Sequence, residues 1–195
     1  MKAIILLCTL KKQGLSNTET LSEFFREKLQ ERNIDCEIIK LVNQRVLPGT
    51  YADMGENDAW PGILQKIKDS QIILFSTPVW WGNHSSEMQK VIERLDEIHD
   101  EILAGKASQL DGKVGGIIVT GDSDGAQHIV GNICNFLNAI GIVFPPYATL
   151  TVLWEGQKKG ADTGREELMK KYRDEYTKTS ETMVEQLIRY STLKQ

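Results

Sequence analysis

Strand and helix patterns alternate along the chain, and this alternation limits the possible folds more than any other feature of the sequence. Residues 2–8 and 71–77 are short, nearly continuous apolar runs, which predict strands buried on both faces. The segments that follow them carry apolar residues three or four positions apart, which is typical of helices that pack on one side. Strands and helices that alternate in this way form a parallel sheet covered by helices.

The alternation predicts five strands and five helices. The strands are expected at residues 2–8, 35–41, 71–77, 113–120 and 142–152, and the helices at residues 17–32, from about 58, 85–99, 126–140 and 163–190. The last strand should be broken around Pro145 and Pro146, because proline lacks the N–H that a sheet requires. The sheet has either the strand order 2-1-3-4-5 or that of half a Rossmann fold. The length and the 41% hydrophobic content predict a single domain over residues 1–195.

Charge and cysteine content narrow the function classes. The net charge is -4 and basic residues lie among acidic ones, so the sequence does not predict a nucleic-acid-binding surface. The first apolar run is too short to span a membrane and no signal cleavage site follows it, which favours a buried strand and a cytoplasmic protein. Cys8, Cys36 and Cys134 are far apart in sequence, unlike the cysteines of a disulfide framework or of a zinc or iron–sulfur site.

The strand order 2-1-3-4-5 also predicts where a ligand binds. In such a sheet the crevice lies beyond the carboxyl ends of strands 1 and 3. Three segments should meet there: the first loop (residues 9–18), the second loop (residues 78–83) and the third loop (residues 120–127). We expect the ligand-binding residues in these loops.

The first loop is rich in hydrogen-bond donors and leads into a helix. Its candidate ligands are Thr9, Lys11, Ser16, Asn17 and Thr18. A helix N-terminus offers free N–H groups and a positive dipole to an anion, so this loop suits a phosphate monoester. The glycine patterns of dinucleotide and triphosphate sites are missing. The alternative is an ordinary polar loop in which Ser16 and Glu19 form a capping box.

The second loop places two adjacent tryptophans at the carboxyl edge of the sheet. Its candidate cofactor-binding residues are Pro78, Val79, Trp80, Trp81, Gly82 and Asn83. Neighbouring side chains point in different directions, so at least one indole ring should be exposed to a ligand or a partner. Exposed aromatic rings beside a glycine suit stacking on a flat heterocycle. The alternative is a hydrophobic dimer contact, because tryptophan is enriched in interfaces.

The third loop contains two glycines and precedes a helix. Thr120, Gly121 and Gly125 are candidate cofactor-binding residues, because glycine lets the backbone approach a ring edge closely. Asp122 and Asp124 fit turn residues better than metal ligands, so no metal is expected.

With these three loops, the sequence resembles the NAD(P)H-dependent FMN reductase family of the flavodoxin-like superfamily, whose members include quinone, azo-compound and nitro-compound reductases. The resemblance covers about residues 2–155. The family's phosphate loop reads roughly S-x-R-x-x-G/S-x-S/T/N, and TLKKQGLSNT in the first loop is similar, with Thr9 for serine and Lys11 for arginine. The family's proline- and tyrosine-rich turn resembles PVWWGN in the second loop, where Trp80 replaces the usual tyrosine.

The resemblance implies a flavodoxin-like three-layer sandwich with a five-stranded parallel sheet in the order 2-1-3-4-5. It implies FMN as cofactor, NAD(P)H as co-substrate, and a small acceptor such as a quinone, a nitro or azo compound, or free flavin. It also implies a homodimer, with residues 78–83 in contact with the isoalloxazine ring. The flavin would carry the chemistry, so no residue of the protein is expected to act as a catalytic base.

Two other function classes stay open. A flavodoxin-type electron carrier would bind FMN without NAD(P)H turnover of its own, although such carriers tend to be more acidic than a net charge of -4. A cofactor-free regulatory or hydrolytic domain would need an acidic pair after the first strand or a G-x-S-x-G turn, and the sequence has neither.

Overall fold

The strands form one parallel sheet in the order β2-β1-β3-β4-β5, in a computed structural model that describes residues 1–193. They are β1 (Lys2–Leu7), β2 (Asp35–Lys40), β3 (Ile72–Pro78), β4 (Val114–Gly121) and β5 (Thr149–Leu153). This confirms the order 2-1-3-4-5, and β3 beside β1 excludes the Rossmann alternative. The last two residues of the predicted domain over 1–195 lie outside the described residues.

Within residues 1–193, six α-helices cover the two faces of the sheet. They are α1 (Asn17–Gln30), α2 (Trp60–Asp69), α3 (Ser86–Arg94), α4 (Asp96–Leu103), α5 (Ala126–Ala139) and α6 (Arg165–Thr192). Helices α1 and α6 pack on one face and the other four on the opposite face. In β1, Ile4 and Leu6 join one core while Ala3 and Ile5 join the other. The division follows from the pleat of a strand, and it produces the predicted three layers.

The sequence of α1 explains its limits and its buried face. Ser16 caps the N-terminus, because its hydroxyl accepts the N–H of Glu19. The fully buried side chains recur three or four positions apart and are Leu21, Phe24, Phe25 and Leu29. Burial of each such side chain stabilises the fold by about 2 kcal/mol. Beyond Gln30 the chain turns through Asn33 at a φ of 57°, a conformation that asparagine tolerates.

The prediction of a single helix at residues 85–99 is wrong. The structure has two helices there, α3 and α4, and they meet at the buried residue Leu95. The N–H of Leu95 is shared between the carbonyls of Val91 and Ile92, which tightens the last turn of α3 and changes the direction of the chain.

The fifth strand is shorter than the predicted segment at residues 142–152. Val143 forms an isolated bridge with Val114, and continuous pairing begins only at Thr149. Pro145 and Pro146 separate the two, which confirms the predicted break at the prolines.

The topology brings the ends of three strands together. Strand β1 lies between β2 and β3, its last residue Leu7 pairs with Ser76, and Pro78 of β3 pairs with Thr120 of β4. The first, second and third loops therefore begin side by side at the carboxyl edge of the sheet.

Candidate functional site

A buried layer of hydroxyl groups lies beneath the three loops. The hydroxyl oxygens of Thr18 and Thr120 are 2.7 Å apart, and those of Ser22 and Ser76 are 2.8 Å apart. All four residues are buried, and the pairs join α1 to β4 and to β3. Such pairing is favoured, because a buried hydroxyl without a partner costs about 1–3 kcal/mol. The hydroxyl pairs fix the start of α1 on the edge of the sheet.

Thr9 and Ser16 close the first loop from inside. Their hydroxyl oxygens are 2.8 Å apart, and Ser16 also accepts the N–H of Glu19 at 3.3 Å. The carboxylate of Glu19 forms an ion pair with Lys40 at 2.7 Å. Ser16 therefore makes its hydrogen bond of the predicted capping box, and Lys40 neutralises the carboxylate of Glu19.

The outer surface of the first loop presents N–H groups and cations. Asn17 and Thr18 begin α1, and the N–H groups of the first turn have no partner within the helix. The ammonium of Lys11 donates to the carbonyl of Leu15 at 2.8 Å, so it lies against the loop, and Lys12 beside it is exposed. Donors of this kind at a positive helix terminus fit a phosphate monoester.

Four predicted ligands of the first loop use their side chains inside the protein. Thr9, Ser16 and Thr18 form the hydroxyl pairs described above, and the amide of Asn17 donates to the carbonyl of Gln157 at 2.8 Å. These side chains shape the loop, which leaves backbone N–H groups and lysines as its outward-facing donors.

An open groove of about 600 Å³ runs between the first loop and the turn that follows β2. It is lined by Lys12, Gln13, Val42, Asn43, Gln44 and Arg45. Two of these described residues are cationic and none carries a carboxylate, so the groove favours an anionic group.

The second loop contains a tight turn that holds Trp81 in a strained conformation. Trp80 and Asn83 exchange two backbone hydrogen bonds, at 2.7 and 2.9 Å. Trp81 and Gly82 between them have φ values of 49° and 74°, which define a type I′ turn. This region suits glycine or asparagine and is an outlier for a bulky residue. Trp81 is 96% exposed and Trp80 41% exposed, so the prediction of an exposed ring is confirmed.

Two glycines bring the second and third loops into backbone contact. A Cβ on Gly125 would lie 2.7 Å from the Cα of Gly82, and Gly125 has a φ of +94°. A Cβ on Gly121 would lie 2.9 Å from the side chain of Val79, whose N–H donates to the carbonyl of Thr120 at 2.8 Å. Only glycine permits this approach, which draws the third loop against the Trp80–Asn83 turn.

Sequence reasoning missed His128, which joins the second loop to α5. Its Nε2 is 3.1 Å from the Oδ1 of Asn83, so it holds the amide of a predicted site residue. The available signal was its position in the first turn after the third loop. His84, which follows Asn83 in the sequence, places its Nδ1 3.2 Å from the carbonyl of Ser85.

A buried ion pair between Arg94 and Asp58 was also missed. The guanidinium donates to Asp58 at 2.7 Å and to three backbone carbonyls of residues 47–52. Burial raises the pKa of Asp58, but hydrogen bonds from Arg94 and from backbone N–H groups outweigh it and lower the pKa to about 2. The pair orders residues 44–59 beside the groove. Arg94 could have been found because it lies three positions after Val91, on the buried face of α3.

Comparison with known proteins identifies relatives of two kinds. The chain is 29% identical over 153 residues to the divalent metal cation transporter MntH of Mycobacterium bovis, a match that covers 76% of this chain and 22% of that protein. It is 28% identical over 160 residues to 8-demethyl-8-aminoriboflavin-5'-phosphate synthase of Streptomyces davaonensis, covering 76% of this chain and 62% of that protein. The chain thus spans less than two thirds of either relative. In residues 1–193 no helix is long and apolar enough to cross a membrane.

A solved structure supports the fold. RosB, crystallised with 8-demethyl-8-formylriboflavin-5'-phosphate, superimposes with a TM-score of 0.79 at 22% identity, covering 98% of this chain and 79% of RosB. The family model of NADPH-dependent FMN reductases matches residues 1–153, which include all three loops. Because that match spans most of the 195 residues, the chain belongs to the NADPH-dependent FMN reductase family.

Proposed function

We propose that this protein binds FMN in its three loops and uses NAD(P)H to reduce a small acceptor, such as a quinone, a nitro or azo compound, or free flavin. Membership of an FMN- and NADPH-dependent oxidoreductase family supports the cofactors and the reaction class. The observation that carries the proposal is the type I′ turn at Trp81, which is both strained and almost fully exposed. Strain of this kind costs about 1–3 kcal/mol and persists mainly at functional sites.

The first loop is the proposed phosphate site. Backbone N–H groups at the start of α1 and the ammonium of Lys11 would bind the phosphate of FMN, because both are donors that an oxyanion requires. Thr9, Ser16 and Thr18 would act through the shape that their hydroxyl bonds give to the loop.

The second and third loops are the proposed ring site. Pro78, Val79, Trp80, Trp81, Gly82 and Asn83 would contact the isoalloxazine ring together with Thr120, Gly121 and Gly125. The indoles offer flat apolar faces, and the glycines let backbone groups approach the polar edge of the ring.

FMN held by these loops would supply the redox chemistry between NAD(P)H and the acceptor, so the chain itself needs no general base. Its own residues would fix the phosphate, orient the ring and leave one face of it accessible. The exposed Trp80–Asn83 turn suits the last task, because its outer side contacts solvent.

An absorbance experiment tests the proposal. The purified protein is mixed with FMN, freed of unbound flavin and then titrated with NADPH without oxygen. We expect a retained flavin band that NADPH bleaches and that a quinone restores. A retained band that NADPH leaves unchanged would instead support a flavodoxin-type electron carrier, and a protein that retains no FMN would refute the flavin site.

We also propose that the protein is a homodimer. The support is a set of large apolar side chains that are exposed at or near the carboxyl edge of the sheet. These side chains are Leu10, Tyr51, Trp80 and Trp81. Light scattering coupled to gel filtration should give twice the chain mass of 22.0 kDa. A monomer at micromolar concentration would contradict the dimer but not the flavin site.

We also propose a cytoplasmic location and a single domain over residues 1–195. Cys8, Cys36 and Cys134 are free, which supports a reducing compartment. The two hydrophobic cores share the same five strands, which supports a single cooperative unit. Cell fractionation tests the location, and a single thermal unfolding transition tests the domain.

A further inference from the structure

Gln157 is a buried polar residue with several partners near the candidate site. It lies in a single 3₁₀ turn, Glu155–Gln157, after β5 and is 7% exposed. Its Nε2 donates to the carbonyls of Gly121 at 3.0 Å and Val152 at 2.9 Å. Its Oε1 accepts the hydroxyl of Tyr172 at 3.0 Å. Carbonyl oxygens only accept, so these partners assign the two ends of the amide.

The backbone of Gln157 extends these bonds to the first loop. Its carbonyl accepts the side-chain amide of Asn17 at 2.8 Å, and its N–H donates to the carbonyl of Trp154. Asn17 lies near the end of the first loop, where α1 begins, and Gly121 lies near the start of the third loop, where β4 ends. One residue therefore joins the two loops that lie on either side of the Thr18–Thr120 hydroxyl pair.

Tyr172 connects this turn to α6. It is fully buried, and its ring centroid lies 6.0 Å from that of Phe24 in α1. Burial raises the pKa of Tyr172, so its hydroxyl keeps the proton that it donates to Gln157. Both residues lie beyond residue 153, where the family match ends.

We propose that Gln157, supported by Tyr172, is a positioning residue for the FMN site, because it holds the first and third loops in the arrangement that binds the cofactor. This inference rests on the proposed function. It assigns to the segment after β5 a role in cofactor binding that is separate from covering the sheet.

Three variants test the proposal. Gln157→Met keeps the length of the side chain and removes its hydrogen bonds, and Tyr172→Phe removes one hydroxyl. Leu187→Ala is the control, because Leu187 is fully buried in α6 and lies about 22 Å further along that helix at 1.5 Å per residue. The Kd for FMN is measured by quenching of flavin fluorescence, below the Tm of each apoprotein. Amide hydrogen exchange of the apoprotein is the second readout.

We expect Gln157→Met to raise the Kd about tenfold and Tyr172→Phe to raise it about threefold. The first change removes all the hydrogen bonds of the Gln157 amide, and the second removes only the hydroxyl of Tyr172. In Gln157→Met, amides of residues 9–18 and 120–127 should exchange faster. Leu187→Ala should lower the Tm at least as much as Gln157→Met does. It should nevertheless keep the Kd for FMN within about twofold and leave amide exchange in both loops unchanged.

Two results would overturn the inference: an unchanged Kd in Gln157→Met, or an equal rise in Leu187→Ala. If Gln157→Met does not fold, an unchanged Kd in Tyr172→Phe would overturn it as well. A wild-type protein that binds no FMN would refute the proposed function instead, and the exchange data alone would then decide whether Gln157 orders the loops.

Discussion

Trp81 shows how one residue departs from what local physics favours. Its φ of 49° lies in a region where a large side chain is strained, and the residue is 96% exposed, so no packing compensates the strain. The neighbouring Gly82 adopts its φ of 74° without such a cost. A bulky aromatic residue at this position is thus costly for folding, and the proposed contact with the isoalloxazine ring would account for its presence.

We expect Trp81→Asn to separate these two effects. The change places an Asn-Gly pair in the type I′ turn, so the apoprotein should gain about 1 kcal/mol in its free energy of unfolding. Loss of the indole should weaken FMN binding about tenfold. Urea unfolding and FMN fluorescence titration measure the two quantities. Leu103→Asn, at an exposed position in α4, is the control, and equal FMN affinity in all three proteins would contradict the role of Trp81.

The Asp58–Arg94 pair leads to a pH prediction. The pKa of Asp58 is about 2 in the folded protein against an ordinary 3.8, so its contribution to stability is complete above about pH 4 and is lost as the pH falls through 2. Asp58→Asn should therefore be less stable than the wild type at pH 6, and this difference should shrink between pH 4 and 2. Urea midpoints across that range measure it. A difference that stays constant with pH would show that the pKa of Asp58 is the same in the folded and the unfolded protein.

At the scale of elements, the backbone contact between the second and third loops is the feature most open to test. Gly125→Ala would place a Cβ 2.7 Å from the backbone of Gly82 and would strain a φ of +94°. We expect FMN affinity to fall at least about tenfold, because one loop must move away from the other. Gly131→Ala in α5 is the matched control, since its Cβ meets nothing within 4 Å.

The control should behave in the opposite way. Alanine in the exposed interior of α5 should stabilise the protein by about 0.5–1 kcal/mol and leave FMN affinity unchanged. If Gly125→Ala binds FMN as tightly as Gly131→Ala does, the loop contact has no part in the site.

The elements also show which features a sequence can reveal. Strands β1 and β3 and helix α1 were predictable because each is encoded by a local apolar pattern, and the strand order then placed the three loops at one edge. The break at Leu95 and the contacts of Gln157 were not. The contacts of Gln157 depend on partners distant in sequence, such as Asn17, which lies 140 positions from Gln157. The break at Leu95 depends on the shared hydrogen bond in the last turn of α3, which the apolar pattern does not reveal. The exposed Trp81 was predictable, but its positive φ was not, because only the turn reveals it.

At the scale of the whole molecule, the sheet needs both helical layers. The family match ends at residue 153, yet α6 supplies a large part of the core on one face. Its fully buried hydrophobic side chains are Leu168, Tyr172, Met183, Val184 and Leu187. At about 2 kcal/mol each, their burial contributes about 10 kcal/mol, which equals the total stability of a typical domain.

A chain truncated after Leu153 should therefore fail to fold even though it keeps the three loops and the whole sheet. We expect no cooperative thermal transition and no near-ultraviolet circular dichroism, because the parts of β4, β5 and α1 that α6 covers would be exposed to water. The comparison is the full chain carrying Leu187→Ala. This variant loses only one buried side chain of α6, so it should still unfold cooperatively, at a Tm below that of the wild type. A cooperative transition in the truncated chain would mean that α6 is dispensable for the core, and the loops would then be held by the remaining sheet alone.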